Sequence, residues 1–351
     1  MNEETKQSMP ENRIGHCMTS IREFLMIYGG FTDMFDYQHD GLWSYNTISG
    51  IWLRHQPPTE IKDTPVCSSI CAVGNLVYLF GGACFRYNFR STNSLIAFDT
   101  SNETWKTIFP HTNDYDENTP PPMYGNVLLY HNGSLYVLGG FKETVPLDTM
   151  YKFCLKTSEW FLVPQTGVKP FYHLKIFGTV FKNRLYCFED SLTGTNRFRD
   201  VKIFDFSNHT WTTKTTISKN QQYPEDRFDE AFAFSSRSGF MSGGMIPDTN
   251  IFHSDIWRID LETLEWFKLN YTLTTGIYDH RMTVVDDSYL YSFGGDGNYH
   301  ARLSLLDKFI IQPPALYRRC QETISKYPNL KSNIKSIPAA ILDELNLNNN
   351  D

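Results

Sequence analysis

Arginine, histidine and tyrosine recur in a set of short segments along the 351-residue chain. NRIGHC holds Arg13 and His16, PPMYGN holds Tyr124, KPFYHL holds Tyr172 and His173, EDRFDE holds Arg227, and IYDHRM holds Tyr278, His280 and Arg281. A sixth segment of the series, TPVCSS, carries none of these types. The chemistry they suit is binding. A guanidinium forks onto a carboxylate through two parallel N–H···O bonds, which makes Arg227 and Arg281 the candidates for an anionic group. Tyrosine rings stack on a peptide and keep a hydroxyl for hydrogen bonding. Singly, each residue reads more simply as a hydrogen-bonded structural group. As a converging set they predict a ligand pocket of Tyr, His and Arg. Signatures of turnover are missing: the sequence holds no GxSxG, HExxH or Walker loop and no paired metal motif, and its ten histidines are scattered. The expectation is a non-enzyme with no metal and no cofactor, although a fold by itself excludes no activity.

The elements that must position these segments form a repeat. LMIYGG, LVYLFGG, SLYVLGG, RSGFMSGG and YLYSFGG end in Gly-Gly, and RLYCFED carries Glu189 and Asp190 in the same place. The first positions of the six pairs (29, 81, 139, 189, 243, 294) lie 50 to 58 residues apart, and Trp52, Trp105, Trp160, Trp211 and Trp266 follow in step. Within a unit, period-2 alternation bounded by Gly, Asn and Asp marks four short strands: in the second, SSICAV, LVYLFGG, SLIAFD and TWKTIF. Four strands at a period near fifty resemble the kelch repeat, over roughly residues 14–311. The fold expected is all-β: a disordered N-terminus over 1–12, a six-bladed kelch β-propeller over 13–311, and a short helical segment over 313–347. The glycines supply positive φ and close approach, and each Trp fills the gap between blades. Three irregularities stand out. The fourth corner, without glycines, must be distorted or differently packed. The sixth unit has no Trp. The N-terminus is too short to donate a full outer strand, so either blade six holds three strands or the start of the protein is unusual, which would weaken ring closure.

Composition narrows the class. A net charge of −7 argues against general nucleic-acid or anionic-membrane affinity. No apolar run reaches the length of a membrane span, and the polar start MNEETKQSMPENR reads as neither signal nor transit peptide. Seven cysteines, an odd number without a CxxC pair, predict reduced and mostly core thiols in the cytoplasm and/or nucleus. The asparagines of four sequons, Asn102, Asn132, Asn208 and Asn270, are read as turn formers.

After Pro313 and Pro314 the pattern changes. ALYRRCQETISKY places Leu316, Cys320 and Ile324 four apart on a helical stripe, and IPAAILDEL places Ile341 and Leu345 on another. A propeller needs neither helix. The first stripe resembles the elongin-C-binding box of ubiquitin-ligase receptors, with Ala315 in its small leading place. Ile337, Pro338, Ile341 and Leu345 resemble the cullin-2 form of the adjoining cullin box, and no LPxP element of the cullin-5 form is present. Together with MYGNVLLYHNGSLYVLGG and DIWRIDLETLEWFKL, the layout resembles the kelch-repeat substrate receptors of cullin-2 RING ubiquitin ligases. That resemblance implies a non-catalytic adaptor. Its propeller would bind substrate C-terminal degrons, with Arg227 and Arg281 on the free carboxylate, and its tail would recruit elongin B, elongin C and cullin-2. The alternative is a kelch scaffold or cytoskeletal, actin-associated protein whose tail is a structural cap.

Overall fold

Alternation of apolar and polar residues over five or six positions, cut by residues that tolerate positive φ, favours short antiparallel strands joined by tight turns. The computed structural model describes residues 8–33, 37–62, 64–85, 89–170, 175–189, 197–219, 221–246, 249, 251–297 and 305–327. Blade three shows the pattern: Val127–His131, Ser134–Leu138, Met150–Cys154 and Glu159–Leu162 pair in sequence order, with Leu128 opposite Val137 and Phe153 opposite Trp160. Its first turn is Asn132–Gly133 with both φ positive, as a two-residue hairpin requires. Blades one, two, four and five repeat the four-strand order, and their innermost strands begin at Ile14, Ser69, Ile176 and Ala231.

The six-bladed ring is therefore the fold. Its core lies between blades, where the outer-strand Trp of one blade meets the second strand of the blade before it. Trp160 sits 5.4 Å from Phe80, Trp52 6.2 Å from Phe293, and Trp266 6.3 Å from Phe188. Trp211 is buried with Leu138. Trp105 is only half-buried, and packs on Phe98 of its own blade and on the cluster that holds Met26 and Tyr28 of blade one. Blade six has no such Trp, and Leu269, Leu273 and Phe309 fill the junction with blade five.

The Gly-Gly pairs join blades through hydrogen bonds. The second glycine N–H donates to a carbonyl at the start of the following blade: Gly30 to Pro65, Gly82 to Met123, Gly244 to Ile277, and Gly295 to Arg13, all within 3.1 Å. The first glycine is as constrained. Gly29 has φ +71°, and a Cβ there would lie 1.9 Å from the Pro65 carbonyl oxygen.

Blade four lacks the pair and is differently packed, as expected. Arg197 replaces the missing donor. Its Nη1 donates to the Arg227 carbonyl, the same place in the series as Arg13, Pro65, Met123 and Ile277. Its Nε reaches the Glu189 carbonyl at 3.0 Å, and its other guanidinium nitrogen pairs with Glu230 at 2.5 Å. Both side chains are almost wholly buried. Asp190 lies outside the described residues.

Among the described residues blade six has three strands, Arg281–Val285, Tyr289–Phe293 and Leu306–Ile310, and none of its strands comes from the other end of the chain. One helix, Leu316–Lys326, follows. The second expected helix, with Ile337, Pro338, Ile341 and Leu345, lies outside the described residues. The N-terminal expectation needs correction. Residues 9–12 belong to the ring: Pro10 and Asn12 are buried, Met9 packs beside Trp52, and Asn12 Nδ2 donates to the Gly295 carbonyl at 2.7 Å.

Two smaller expectations also change. Of the sequon asparagines, Asn102, Asn132 and Asn208 sit at turns, but Asn270 lies inside the strand Trp266–Thr272. All seven cysteines are free, yet only Cys17 and Cys187 are buried, and Cys320 is exposed.

Candidate functional site

Up-and-down strands give the ring two faces. The loops leading into each inner strand, and those between second and third strands, gather on one, here called the upper face. The tight turns gather on the other, the floor.

At the centre of the upper face, five residues with φ between +52° and +68° stand at one place in blades one, two, three, five and six: Gly15, Cys67, Gly125, Asp229 and Asp279. Their backbones link neighbouring blades. Cys67 N–H donates to the Gly15 carbonyl at 2.7 Å, Gly125 to Cys67 at 2.8 Å, and Asp279 to Asp229 at 2.8 Å. Between blades six and one a side chain makes the link, with Gly15 N–H donating to the Asp279 carboxylate at 3.2 Å.

Charges cross the same mouth. Lys175, just ahead of the inner strand of blade four, reaches Asp229 of blade five at 2.6 Å and Asp279 of blade six at 2.5 Å. Arg281 Nη1 contacts Asp279 at 2.9 Å. Burial would raise the Asp279 pKa, but Lys175 and Arg281 overcome it and hold the carboxyl well below its usual range. Burial lowers and the aspartates raise the pKa of Lys175, which ends above its ordinary value. The quartet holds two cations and two carboxylates. A ligand carboxylate arriving here competes with Asp229 and Asp279 for Lys175 and Arg281.

The nine candidate side chains divide. Arg13 and Arg227 are buried and superimpose in role: each donates Nε to the backbone carbonyl two residues earlier (Glu11 at 3.0 Å, Glu225 at 2.9 Å), and each donates Nη1 to the first glycine carbonyl of its blade (Gly29 at 3.1 Å, Gly243 at 3.2 Å). Arg227 also meets Asp255 at 2.5 Å, with Asp255 held at about 2 because the Arg227 and Trp257 bonds outweigh burial. As a carboxylate clamp for a ligand, Arg227 is already occupied. His16 and His280 are buried at blade junctions. Each lies against the second glycine of its own blade and points its Cε1 at the first glycine of the blade before. His280 shares a hydrogen bond with Ser242 Oγ at 3.0 Å, whereas neither ring nitrogen of His16 has a partner among the described residues.

Three candidates do reach the upper face. Arg281 keeps 18% side-chain exposure. Tyr278 packs 5.4 Å from Phe252 and bonds Asp296 at 3.4 Å. Tyr124 donates to the Glu143 carbonyl at 2.7 Å and stacks on Phe141. Tyr172 and His173 lie outside the described residues. Sequence comparison missed Lys175, Asp229 and Asp279, although Asp229 and Asp279 each lie two positions beyond the carbonyl that joins their blade to the one before. Their signal was positional, and large side-chain type hid it.

On the floor, the helix lies across the last and first blades. Arg318 Nη1 pairs with Asp286 in the first turn of blade six at 2.9 Å, and its Nη2 donates to Thr47 Oγ1 in blade one at 2.7 Å. Ser325 Oγ reaches the Ile48 carbonyl at 3.3 Å, and Glu322 holds Arg318 Nε at 3.0 Å and lies 3.8 Å from Lys308. With this polar face inward, Leu316 is 76% exposed and Cys320 is exposed one turn later. Ile324 is half-buried.

Comparison with known proteins agrees with this geometry. The profile of the KLHDC2/KLHL20/DRC7 Kelch-repeats domain matches residues 67–295. Kelch domain-containing protein 10 of Homo sapiens is 23% identical over 350 residues, spanning 92% of this chain and 75% of that protein. Kelch domain-containing protein 10 of Xenopus tropicalis is 23% identical, over 91% and 80%, and kelch domain-containing protein 1 of Mus musculus is 25% identical, over 95% and 89%.

Proposed function

The chain belongs to the KLHDC2/KLHL20/DRC7 kelch-repeat family, and on that premise we propose that it is a non-catalytic substrate receptor of a cullin-2, elongin B/C ubiquitin ligase. The observation that carries the reading is the two-sided helix. Its polar side, Arg318, Glu322 and Ser325, is consumed by the propeller floor. Its apolar side presents Leu316 and Cys320, four apart, to solvent. A helix that served only to cap the floor would turn its leucine inward, because burying a Leu stabilises by roughly 1.5–3 kcal/mol. An exposed Leu-x-x-x-Cys stripe on a fixed helix suits insertion into a partner's groove. The polarity of the molecule supports the division of labour. Loops free to bind a substrate C-terminus lie on the upper face, and the helix lies on the floor, so both can be engaged together. Arg281 and Lys175 are the cations at the channel mouth for such a carboxylate. Ile337, Pro338, Ile341 and Leu345 would take cullin-2, in the cytoplasm or nucleus, and ubiquitin transfer would be done by partner subunits.

The test is co-precipitation of elongin B, elongin C and cullin-2 with the intact protein and with a Leu316→Ala, Cys320→Ala variant. Both positions are exposed, so the variant should unfold within about 0.5 kcal/mol of the parent. Capture by the parent and its loss in the variant is the expected result. Failure of the parent to capture elongin C sinks the reading.

A further inference from the structure

We propose that the loops of blades two and three form a separate ligand site on the upper face, for a peptide segment that carries a bulky apolar side chain flanked by acidic ones. The inference rests on the reading of the upper face as a peptide-binding surface and does not depend on elongin recruitment.

A cavity of about 500 Å³ opens among these loops. Its walls include Phe89, Arg90, His111, Tyr115, Lys142 and Glu143. Phe89, 40% exposed, joins the cavity to a shelf of rings. Tyr124 stands edge-on to Phe85 at 5.4 Å and to Phe89 at 5.6 Å, and lies parallel to Phe141 at 5.7 Å. The four rings come from three loops of two blades, and the Tyr124 hydroxyl ties two of them by its bond to the Glu143 carbonyl. Rings so braced lose little side-chain freedom on binding, which favours their use as an anchor.

Charge selects the occupant. Arg90 and Lys142 are exposed on the cavity wall, and neither forms an ion pair with a carboxylate among the described residues. The Lys142 ammonium sits 5.6 Å over the Tyr115 ring. Glu143 is the one carboxylate among the described wall residues. At the channel mouth, by contrast, Lys175 and Arg281 are both held by aspartate. On a chain that carries −7, Arg90 and Lys142 outnumber Glu143 on the cavity wall, while Asp114, Asp116 and Glu117 of the loop that bears Tyr115 are exposed beyond it. The two open cations draw the acidic side chains of a segment to the wall. An apolar side chain on the Phe89–Tyr124 shelf then fixes the register.

The test is fluorescence anisotropy on the intact protein. The probe is an octapeptide, Glu-Glu-Phe-Glu-Glu-Phe-Glu-Glu, amidated at its C-terminus so that recognition of a free carboxylate cannot contribute. The comparison peptides replace every Glu by Lys, or every Phe by Ser. The probe should bind at least about ten-fold tighter than either, and weaken as salt rises from 50 to 300 mM. Arg90→Glu with Lys142→Glu should cost about ten-fold or more, and Phe89→Ser about five-fold. A control of equal charge change, Lys156→Glu with Lys214→Glu, should leave affinity within about two-fold. Equal affinity for the Ser peptide, equal loss in the control, or no binding of the probe at millimolar protein each overturns the site. None of these outcomes touches elongin capture or the reading of substrate C-termini, so the readings fail separately.

Discussion

Two junctions in the ring depart from the repeat, and both are repaired by an arginine. Between blades four and five, the backbone donor of the second glycine is missing, and Arg197 supplies an N–H to the Arg227 carbonyl in its place. Between blades six and one, the outer strand is missing, and Arg318 on the C-terminal helix ties Asp286 to Thr47. Arginine suits both tasks because its planar fork offers five donors in fixed directions and stays charged when buried. The junctions differ in where the counter-charge sits. Glu230, the partner of Arg197, is fully buried, while Asp286 keeps 35% side-chain exposure at the edge of the floor. The first repair is part of the core. The second is a latch applied from outside a ring that Asp279, Asn12 and Gly295 have already closed from above.

That contrast sets an order of effects. Arg197→Ala leaves the enclosed Glu230 carboxyl without its guanidinium partner, and should cost about 3–5 kcal/mol, read from the denaturant midpoint. Arg318→Ala leaves a carboxylate that water can reach, and should cost less, about 1.5–3 kcal/mol. Equal costs for the two would show that burial of the partner does not distinguish the junctions. Hydrogen exchange sharpens the comparison: Arg318→Ala should expose amides of Tyr289–Phe293 and Leu42–Asn46 first and leave blade four protected.

Acid should act on the seam in the same direction, and over the first pH unit below 6.5 each histidine should have a smaller effect. His16 lies between blades six and one, and His280 between five and six. Burial, with the charge of Arg281, lowers His16 well below 6.5 and His280 to about 3. The folded pKa is depressed, so these groups stabilise fully above pH 6.5. As pH falls, the unfolded chain takes up protons first, and each histidine should remove up to about 1.4 kcal/mol per pH unit between 6.5 and the folded value. The place His16 occupies in blade one is held in blade three by Asn126. His16→Asn should therefore flatten the fall in thermal midpoint between pH 7.5 and 5.5, and an unchanged slope would remove His16 from the account.

Much of the architecture was legible because the repeat writes the same physical demand six times. A glycine that must take positive φ beside a carbonyl, and a Trp that must fill a wedge between sheets, recur at the spacing of the blades. The number of blades, their strand order and the gap in the sixth followed from that spacing. The tail helix was legible too, since Leu316, Cys320 and Ile324 fall one turn apart. The binding residues were not. Arg13, His16, Arg227 and His280 have the size and chemistry of ligand contacts, but the structure places them inside blade junctions, where the same chemistry satisfies backbone carbonyls or fills space. The loops that hold Phe85, Phe89, Arg90 and Lys142 show no period, so nothing in the sequence pairs them.

The sequence by itself determined the period, and with it the ring, because strand alternation and glycine geometry are local constraints carried by consecutive residues. Only the tertiary structure decided which charges are spent and which are open. That depends on partners far apart in the chain: Lys175 with Asp279, Arg197 with Glu230, and Arg318 with Asp286 and Thr47. An arginine written in sequence has one charge and five donors wherever it stands. Whether it clamps a ligand, replaces a glycine or latches a ring is settled by what the closed propeller brings within 3 Å of it, and by how much water is left there.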